Sequence, residues 1–95
     1  MTDAEVLSRI KSIIGSVAGI DPQRIDDEAG LRTSLNLDSL SLLEISVDVD
    51  LAFSLNLPDE AYRTVESLPG MVELVQKRRA ELNNETPAEY RVVAG

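Results

Sequence analysis

The sequence contains no cysteine, no histidine and no tryptophan, and its only phenylalanine is Phe53. Without cysteine there is no disulfide framework, no thiolate metal site and no cysteine nucleophile. Without histidine the chain lacks the commonest general base and metal ligand. The inventory therefore does not favour a self-sufficient enzyme, and we expect a site with no catalytic residue and no resident metal.

Positive charge and long apolar runs are also scarce. Nine Lys+Arg oppose 17 Asp+Glu, which gives a formal net charge of −8. Such a surface repels phosphate backbones and anionic lipids, so it argues against nucleic acid and membrane insertion and favours a basic protein partner. No stretch approaches the roughly 18 apolar residues of a membrane span, and the acidic start MTDAEV is unlike a signal peptide. We expect a monomer in the cytoplasm, whose reducing conditions suit a chain without cysteine.

Ninety-five residues suffice for one small domain, and a composition that is 43% hydrophobic but 3% aromatic is typical of a compact helical core. Apolar spacing, caps and breakers predict an all-α, small four-helix bundle with three longer helices, one short helix 3 and a long loop between helices 1 and 2. The predicted helices are 3–17, 39–54, one or two turns within 58–67, and 68–82. Three aperiodic apolar residues should anchor the long loop to the core: Ile25, Leu31 and Leu35. We expect a domain over 1–82 and a flexible C-terminal tail over 83–95.

Helix 2 carries two apolar stripes at helical spacing. The first stripe, which we expect to be buried, consists of Leu42, Ile45, Val49 and Phe53. The second, part of which we expect to be exposed, consists of Leu40, Leu43, Val47 and Leu51. Residues 45–53 also alternate like a β-strand, but the helical pattern is longer and the chain offers no second strand for pairing.

Asp38 and Ser39 stand at the junction of the long loop and helix 2. Asp38 is a favourable N-cap, so Ser39 would occupy the first turn, where free amide N–H groups and the helix dipole stabilise an attached phosphate. The pair could equally be a simple helix cap. From residue 33 to residue 62 there is no Lys or Arg, and the acids of this segment are Asp38, Glu44, Asp48, Asp50, Asp59 and Glu60.

These residues resemble a known family. LNLDSL is similar to the phosphopantetheine attachment site of acyl carrier proteins, commonly Leu-Gly-x-Asp-Ser-Leu, and LPDE after the helix also matches. The opening EVLSRIKSIIG and the segment TVESLPGMVELV fall at the corresponding places, so the resemblance covers about residues 3–80. It implies that a phosphopantetheinyl transferase attaches 4'-phosphopantetheine to Ser39. It also implies that Asp38 helps to hold magnesium during that transfer.

The resemblance further implies two surfaces on helix 2. Partner enzymes that load, condense and modify the acyl group would use basic patches to contact Leu40, Glu44, Val47, Asp48 and Asp50. The acyl chain would lie in a groove between helices 2 and 3, opened only on loading and lined by Leu43, Val47 and Val65. The acids could instead form a solvated face, and the leucines and Val47 could belong to the core.

Two departures from the family pattern stand out. Asn36 replaces the usual glycine, but asparagine tolerates a positive φ, so the turn can form. Leu51 and Ala52 replace acids, which leaves the partner enzymes and the pathway open. The acids at 48–50 do not fit a calcium loop, which needs a glycine and a glutamate at fixed later positions.

The function that these residues indicate is a carrier that tethers acyl intermediates as thioesters for fatty acid, polyketide or related lipid synthesis. Peptidyl and alanyl carriers share the serine. The alternative is an unmodified helical docking module that binds a basic protein through its acidic helix 2.

Overall fold

The computed structural model describes residues 2–94, and it describes side chains through residue 83. Its elements confirm the predicted all-α bundle with three longer helices and one short one. The helices are α1 (Asp3–Ala18), α2 (Ser39–Phe53), α3 (Asp59–Arg63) and α4 (Leu68–Ala94), and a short 3-10 helix (Pro22–Arg24) lies between α1 and α2. None of the helices, over the described residues, is long and apolar enough to cross a membrane.

Helix α1 begins with a capping box. The Glu5 N–H donates to Thr2 Oγ1 at 3.2 Å, and the Thr2 N–H donates to Glu5 Oε1 at 2.9 Å. The helix ends at Ala18, one residue beyond the prediction, because Gly19 adopts the left-handed conformation at φ 71° that closes a helix. Its inner face packs against both α2 and α4, so α1 is the central support of the bundle.

The long loop between α1 and α2 is fixed to the core, as the sequence predicted. Ile25 and Leu31 are buried, and Leu35 packs against the core while remaining partly exposed. An isolated antiparallel bridge adds two backbone hydrogen bonds, in which the Leu31 N–H donates to Glu66 O at 2.9 Å and the Leu68 N–H donates to Ala29 O at 3.0 Å. The loop therefore has a defined path to the start of α2.

Helix α2 is helical throughout the segment that also resembled a strand. Ile45 and Val49 are fully buried against α1, whereas Leu42 and Phe53 are partly buried. The predicted burial of this stripe is thus confirmed for its two central residues, while its two end residues are only partly buried. The core of the described residues consists of Val6, Ile10, Ile14, Ile25, Ala29, Leu31, Leu37, Ile45, Val49, Leu55, Tyr62, Leu68, Met71 and Val75.

Helix α4 begins as predicted, with the Gly70 N–H donating to Ser67 Oγ at 3.3 Å. Its backbone stays helical to Ala94, beyond the predicted end at residue 82. The prediction relied on the apolar pattern, which reports packing and does not register a helical backbone beyond the packed segment. The division into a domain over 1–82 and a tail over 83–95 remains a prediction, and side chains beyond residue 83 lie outside the described part.

Candidate functional site

The start of α2 presents a serine hydroxyl to solvent. Asp38 is the N-cap and accepts a hydrogen bond from the Ser41 N–H at 2.8 Å, so the exposed Ser39 is the first residue of the helix. The preceding turn is held by Asn36, which has the positive φ of 53° that the sequence anticipated. Leu37 is buried, and its N–H donates to Leu31 O at 3.1 Å. Leu37 therefore anchors the loop while its two neighbours remain at the surface.

The electrostatics of this end suit a phosphate ester. The hydrogen bond from the Ser41 backbone, followed by one from the Ser41 hydroxyl, lowers the pKa of Asp38, which is thus ionised at neutral pH. The first-turn amides and the positive end of the helix dipole favour a phosphate group on Ser39. The serine at this end, its exposure and the adjacent groove together fit a covalently attached 4'-phosphopantetheine.

A groove runs from Ser39 between α2 and α3. It has a volume of about 340 Å³. Leu43 and Val65 line it, as predicted from the sequence, but Val47 does not. Val47 lies one turn further along α2, in a separate depression beside Leu57. The other lining residues are Leu31, Arg32, Ser39, Leu42, Ser46, Asp59, Tyr62, Arg63 and Met71.

That the groove opens only on loading with an acyl group remains a prediction. In the structure the groove has space beside Ser39. The reason is the small size of the α2 side chains that face α3. Ser39 and Ser46 leave space that larger side chains would fill, and the Ser46 hydroxyl donates to Leu42 O at 2.8 Å, which folds it back onto its own helix.

The outer face of α2 is apolar with an acidic border. Its four large apolar side chains are substantially exposed, as expected for part of the second stripe: Leu40 by 65%, Leu43 by 49%, Val47 by 45% and Leu51 by 71%. Glu44 and Asp48 are exposed beside them. We call Leu40, Glu44, Val47, Asp48 and Leu51 the docking face. Asp48 also shares a shallow depression with Arg9 of α1.

Asp50 has a structural role that the sequence analysis missed. Its Oδ1 accepts from the Asn56 N–H at 3.1 Å, and its Oδ2 accepts from the Leu57 N–H at 2.9 Å and from the Tyr62 hydroxyl at 2.7 Å. We call these three contacts the Asp50 latch. Burial, and then the hydrogen bond to Asp50, raise the pKa of Tyr62. As a partner contact Asp50 remains a prediction, but both of its oxygens already accept hydrogen bonds within the chain.

A signal for the Asp50 latch was present in the sequence. A carboxylate in the last turn of a helix opposes the helix dipole and needs compensating donors. Because no Lys or Arg occurs between residues 33 and 62, the sequence favours nearby backbone N–H groups or hydroxyls as these donors.

Known proteins with similar sequences show that the chain has a phosphopantetheine attachment site and which family it belongs to. The model of the family described as "Phosphopantetheine attachment site" matches residues 8–75, which covers most of the chain and both ends of the groove. The meromycolate extension acyl carrier protein of Mycobacterium leprae is 32% identical over 81 residues, which cover 85% of this chain and 70% of that protein. The acyl carrier protein of Thermosynechococcus vestitus is 25% identical over 80 residues, which cover 84% of this chain and 99% of that protein. The chain belongs to the acyl carrier protein family.

A solved structure supports the same conclusion for the fold. The acyl carrier protein from Enterococcus faecalis is 26% identical, with a TM-score of 0.65 over 82% of this chain and 99% of that chain. The predicted family, helical fold and covalent 4'-phosphopantetheine are thereby confirmed. The protein is a carrier of acyl groups, a role that needs none of the histidine or cysteine that the sequence lacks.

Proposed function

We propose that Ser39 carries the 4'-phosphopantetheine arm and that this chain delivers acyl thioesters to the enzymes of a lipid or polyketide pathway. One observation carries the assignment: the exposed hydroxyl of Ser39 stands at the N-terminus of α2 and at the mouth of the groove. When bound, the arm supplies a terminal thiol that holds the acyl group as a thioester.

Attachment requires a partner enzyme, a phosphopantetheinyl transferase. In the proposed step Ser39 Oγ forms a bond to the phosphorus of coenzyme A that bears pantetheine, and the bond from that phosphorus to the adenosine bisphosphate breaks. The serine proton passes to a base of the transferase, since the chain has no histidine or cysteine to accept it. Asp38, ionised and exposed beside Ser39, would help to hold the magnesium ion that neutralises the leaving group.

Delivery would use the docking face. Exposed leucines beside Glu44 and Asp48 offer an apolar contact with an acidic border, which suits an enzyme surface with apolar contacts inside a basic rim. The enzymes that load, condense and modify the acyl group are the proposed partners. The lack of cysteine fits a reducing compartment, and on that ground we assign the carrier to the cytoplasm.

The assignment of Ser39 is tested by intact-mass measurement after incubation with coenzyme A, magnesium and a broad-specificity transferase. We expect the unmodified protein to gain one phosphopantetheine. Ser39→Ala should gain none, while the control Ser41→Ala, which removes the nearest other hydroxyl, should still be modified. No gain by the natural chain would leave a docking module without an arm, and a gain by Ser39→Ala would move the site elsewhere.

A further inference from the structure

The rim of the groove carries two arginines. Arg32 comes from the long loop and Arg63 from the end of α3, and both line the cavity that Ser39 opens into. In the sequence they flank the segment without cations, so they are the nearest positive charges on either side of the attachment serine. The fold thus brings together two cations that the sequence separates by the whole of α2.

Both guanidinium groups are available to a ligand. Within the described residues, neither Arg32 nor Arg63 makes an ion pair or a side-chain hydrogen bond, and both are exposed. Asp59 lines the same cavity four residues before Arg63, yet it forms no ion pair with it. The lining residues thus carry two positive charges and one negative charge, on a chain whose net charge is −8.

The rest of the lining is suited to a hydrocarbon. Leu42, Leu43, Val65 and Met71 supply aliphatic walls, which would hold a saturated acyl chain without any help from the rim. A saturated chain that covered the arginines would remove water from their N–H groups and return no acceptor, which is unfavourable. An oxygen acceptor at the same position would instead receive charge-assisted hydrogen bonds.

We propose that this groove selects acyl groups that bear an oxygen acceptor, either a keto group or a carboxylate, which accepts hydrogen bonds from Arg32 and Arg63. The inference rests on the proposed attachment of the arm at Ser39. It assigns the cargo a chemical class, an oxygenated acyl chain, and distinguishes this groove from one that would shelter saturated chains alone.

The test compares matched cargoes on one protein. The transferase loads the chain from coenzyme A analogues whose acyl groups, of equal length and linked by a stable amide, are saturated, carry a keto group at the β carbon, or end in a carboxylate. Thermal unfolding midpoints are measured for the arm alone and for each cargo. We expect at least one oxygenated cargo to raise the midpoint by about 3 °C more than the saturated cargo, since a ligand bound only to the native state stabilises it.

Variants of the two arginines test whether they cause the difference in midpoint between oxygenated and saturated cargoes. Arg32→Ala and Arg63→Ala should abolish the extra stabilisation and leave the effect of the saturated cargo unchanged. Arg24→Ala, which removes an exposed arginine that does not line the groove, is the matched control and should retain it. In the unmutated protein, the side-chain Nε–H resonances of Arg32 and Arg63 should shift with the oxygenated cargo and not with the saturated one, which tests the contact even if a variant fails to fold.

Three results would overturn the inference, and they are distinguishable. Equal midpoints for all cargoes, with no shift of the arginine resonances, would show that Arg32 and Arg63 do not bind the oxygen of the cargo. Shifts caused by the arm without cargo, with nothing added by oxygenated cargo, would show that the arginines bind the arm's phosphodiester instead. Failure to attach any arm to Ser39 would overturn the proposed function itself, together with this inference.

Discussion

Each end of α2 carries an aspartate, but the two aspartates accept hydrogen bonds from different parts of the chain. At the N-terminus, the exposed Asp38 accepts from one backbone N–H three residues ahead, which is a local contact favoured by the helix dipole. In the last turn, the half-buried Asp50 opposes the dipole and accepts from three donors that belong to the following connection and to α3. One aspartate begins a helix, and the other joins two.

This difference separates the part of α2 that must be accessible from the part that must be rigid. Ser39 stays exposed because the start of α2 needs only a cap, which Asp38 provides without covering the serine. The opposite end fixes Tyr62, whose ring forms part of the groove wall. The chain thus combines an exposed serine at one end of α2 with a groove wall held by hydrogen bonds at the other, and changes at the two ends should have unequal effects on stability.

The largest loss of stability is expected from Asp50→Ala. The substitution removes all three latch contacts and leaves the partly buried Leu57 N–H and the Tyr62 hydroxyl without their acceptor. We expect the free energy of unfolding to fall by about 2–3 kcal/mol in urea titrations. The control Asp48→Ala, on the exposed side of the same helix, should change it by less than about 0.5 kcal/mol. Equal effects of the two substitutions would contradict the Asp50 latch.

A smaller loss is expected from Tyr62→Phe, which removes one latch contact and keeps the ring. We expect the free energy of unfolding to fall by about 1 kcal/mol at neutral pH. Because the folded pKa of Tyr62 is raised, its contribution is complete below the unfolded pKa of about 10 and is lost as the pH rises towards the folded value. In urea titrations at about pH 11, the difference in the free energy of unfolding between the natural chain and Tyr62→Phe should therefore be smaller than at neutral pH. A gap that stays constant or widens with alkali would show that Tyr62 does not donate to Asp50.

Asp38→Ala should be milder still, because the hydrogen bonds that Asp38 accepts lie at the exposed surface. The folded pKa of Asp38 is lowered, so its contribution is present above the unfolded pKa of about 3.9 and is lost as the pH falls through the folded value. Thermal midpoints at neutral pH should be slightly lower for the variant and should converge with those of the natural chain in acid. Asp38→Asn, which can still cap the helix, should stay close to the natural chain at both pH values.

Glu44→Lys, between the two ends, should leave the midpoint unchanged while affecting delivery. Opposite charges steer association, so we expect the rate of modification by a transferase with a basic docking patch to fall roughly two- to tenfold at low salt. The deficit should shrink as salt increases, because screening removes the steering. Glu73→Lys on α4 makes the same change in net charge away from the docking face and is the control. Equal rates for the two variants would exclude Glu44 from docking.

The sequence allowed the start of the site to be predicted because its interactions are local. The cap of α2 joins Asp38 to Ser41, the positive φ belongs to Asn36 itself, and the capping box of α1 spans Thr2 to Glu5. Each signal depends on side chains within a few residues, so spacing alone identifies it. The exposure of the second stripe of α2 also followed from spacing, since that stripe lies outside the face that contacts the core.

The groove could be predicted only in part, because its walls come from separate elements. Leu43 and Val65 line the groove, whereas Val47 lies in the neighbouring depression. The apolar period of α2 does not record how α2 lies against α3, so it could not separate Val47 from Leu43. The contacts that join these elements are the hydrogen bond from Tyr62 to Asp50 and the bridge between Gly30 and Ser67, and both of them lie between separate segments.

By itself, the sequence determined where the helices begin and which residues cap them, because these features rest on backbone hydrogen bonds and apolar spacing within single segments. The tertiary structure alone decided that Tyr62 is the α3 residue that donates to Asp50, that a groove lies beside Ser39, and that Arg32 and Arg63 both line it. The physical reason is that these features depend on distances between segments far apart in the chain. Packing of the whole core sets those distances, and no local pattern records them.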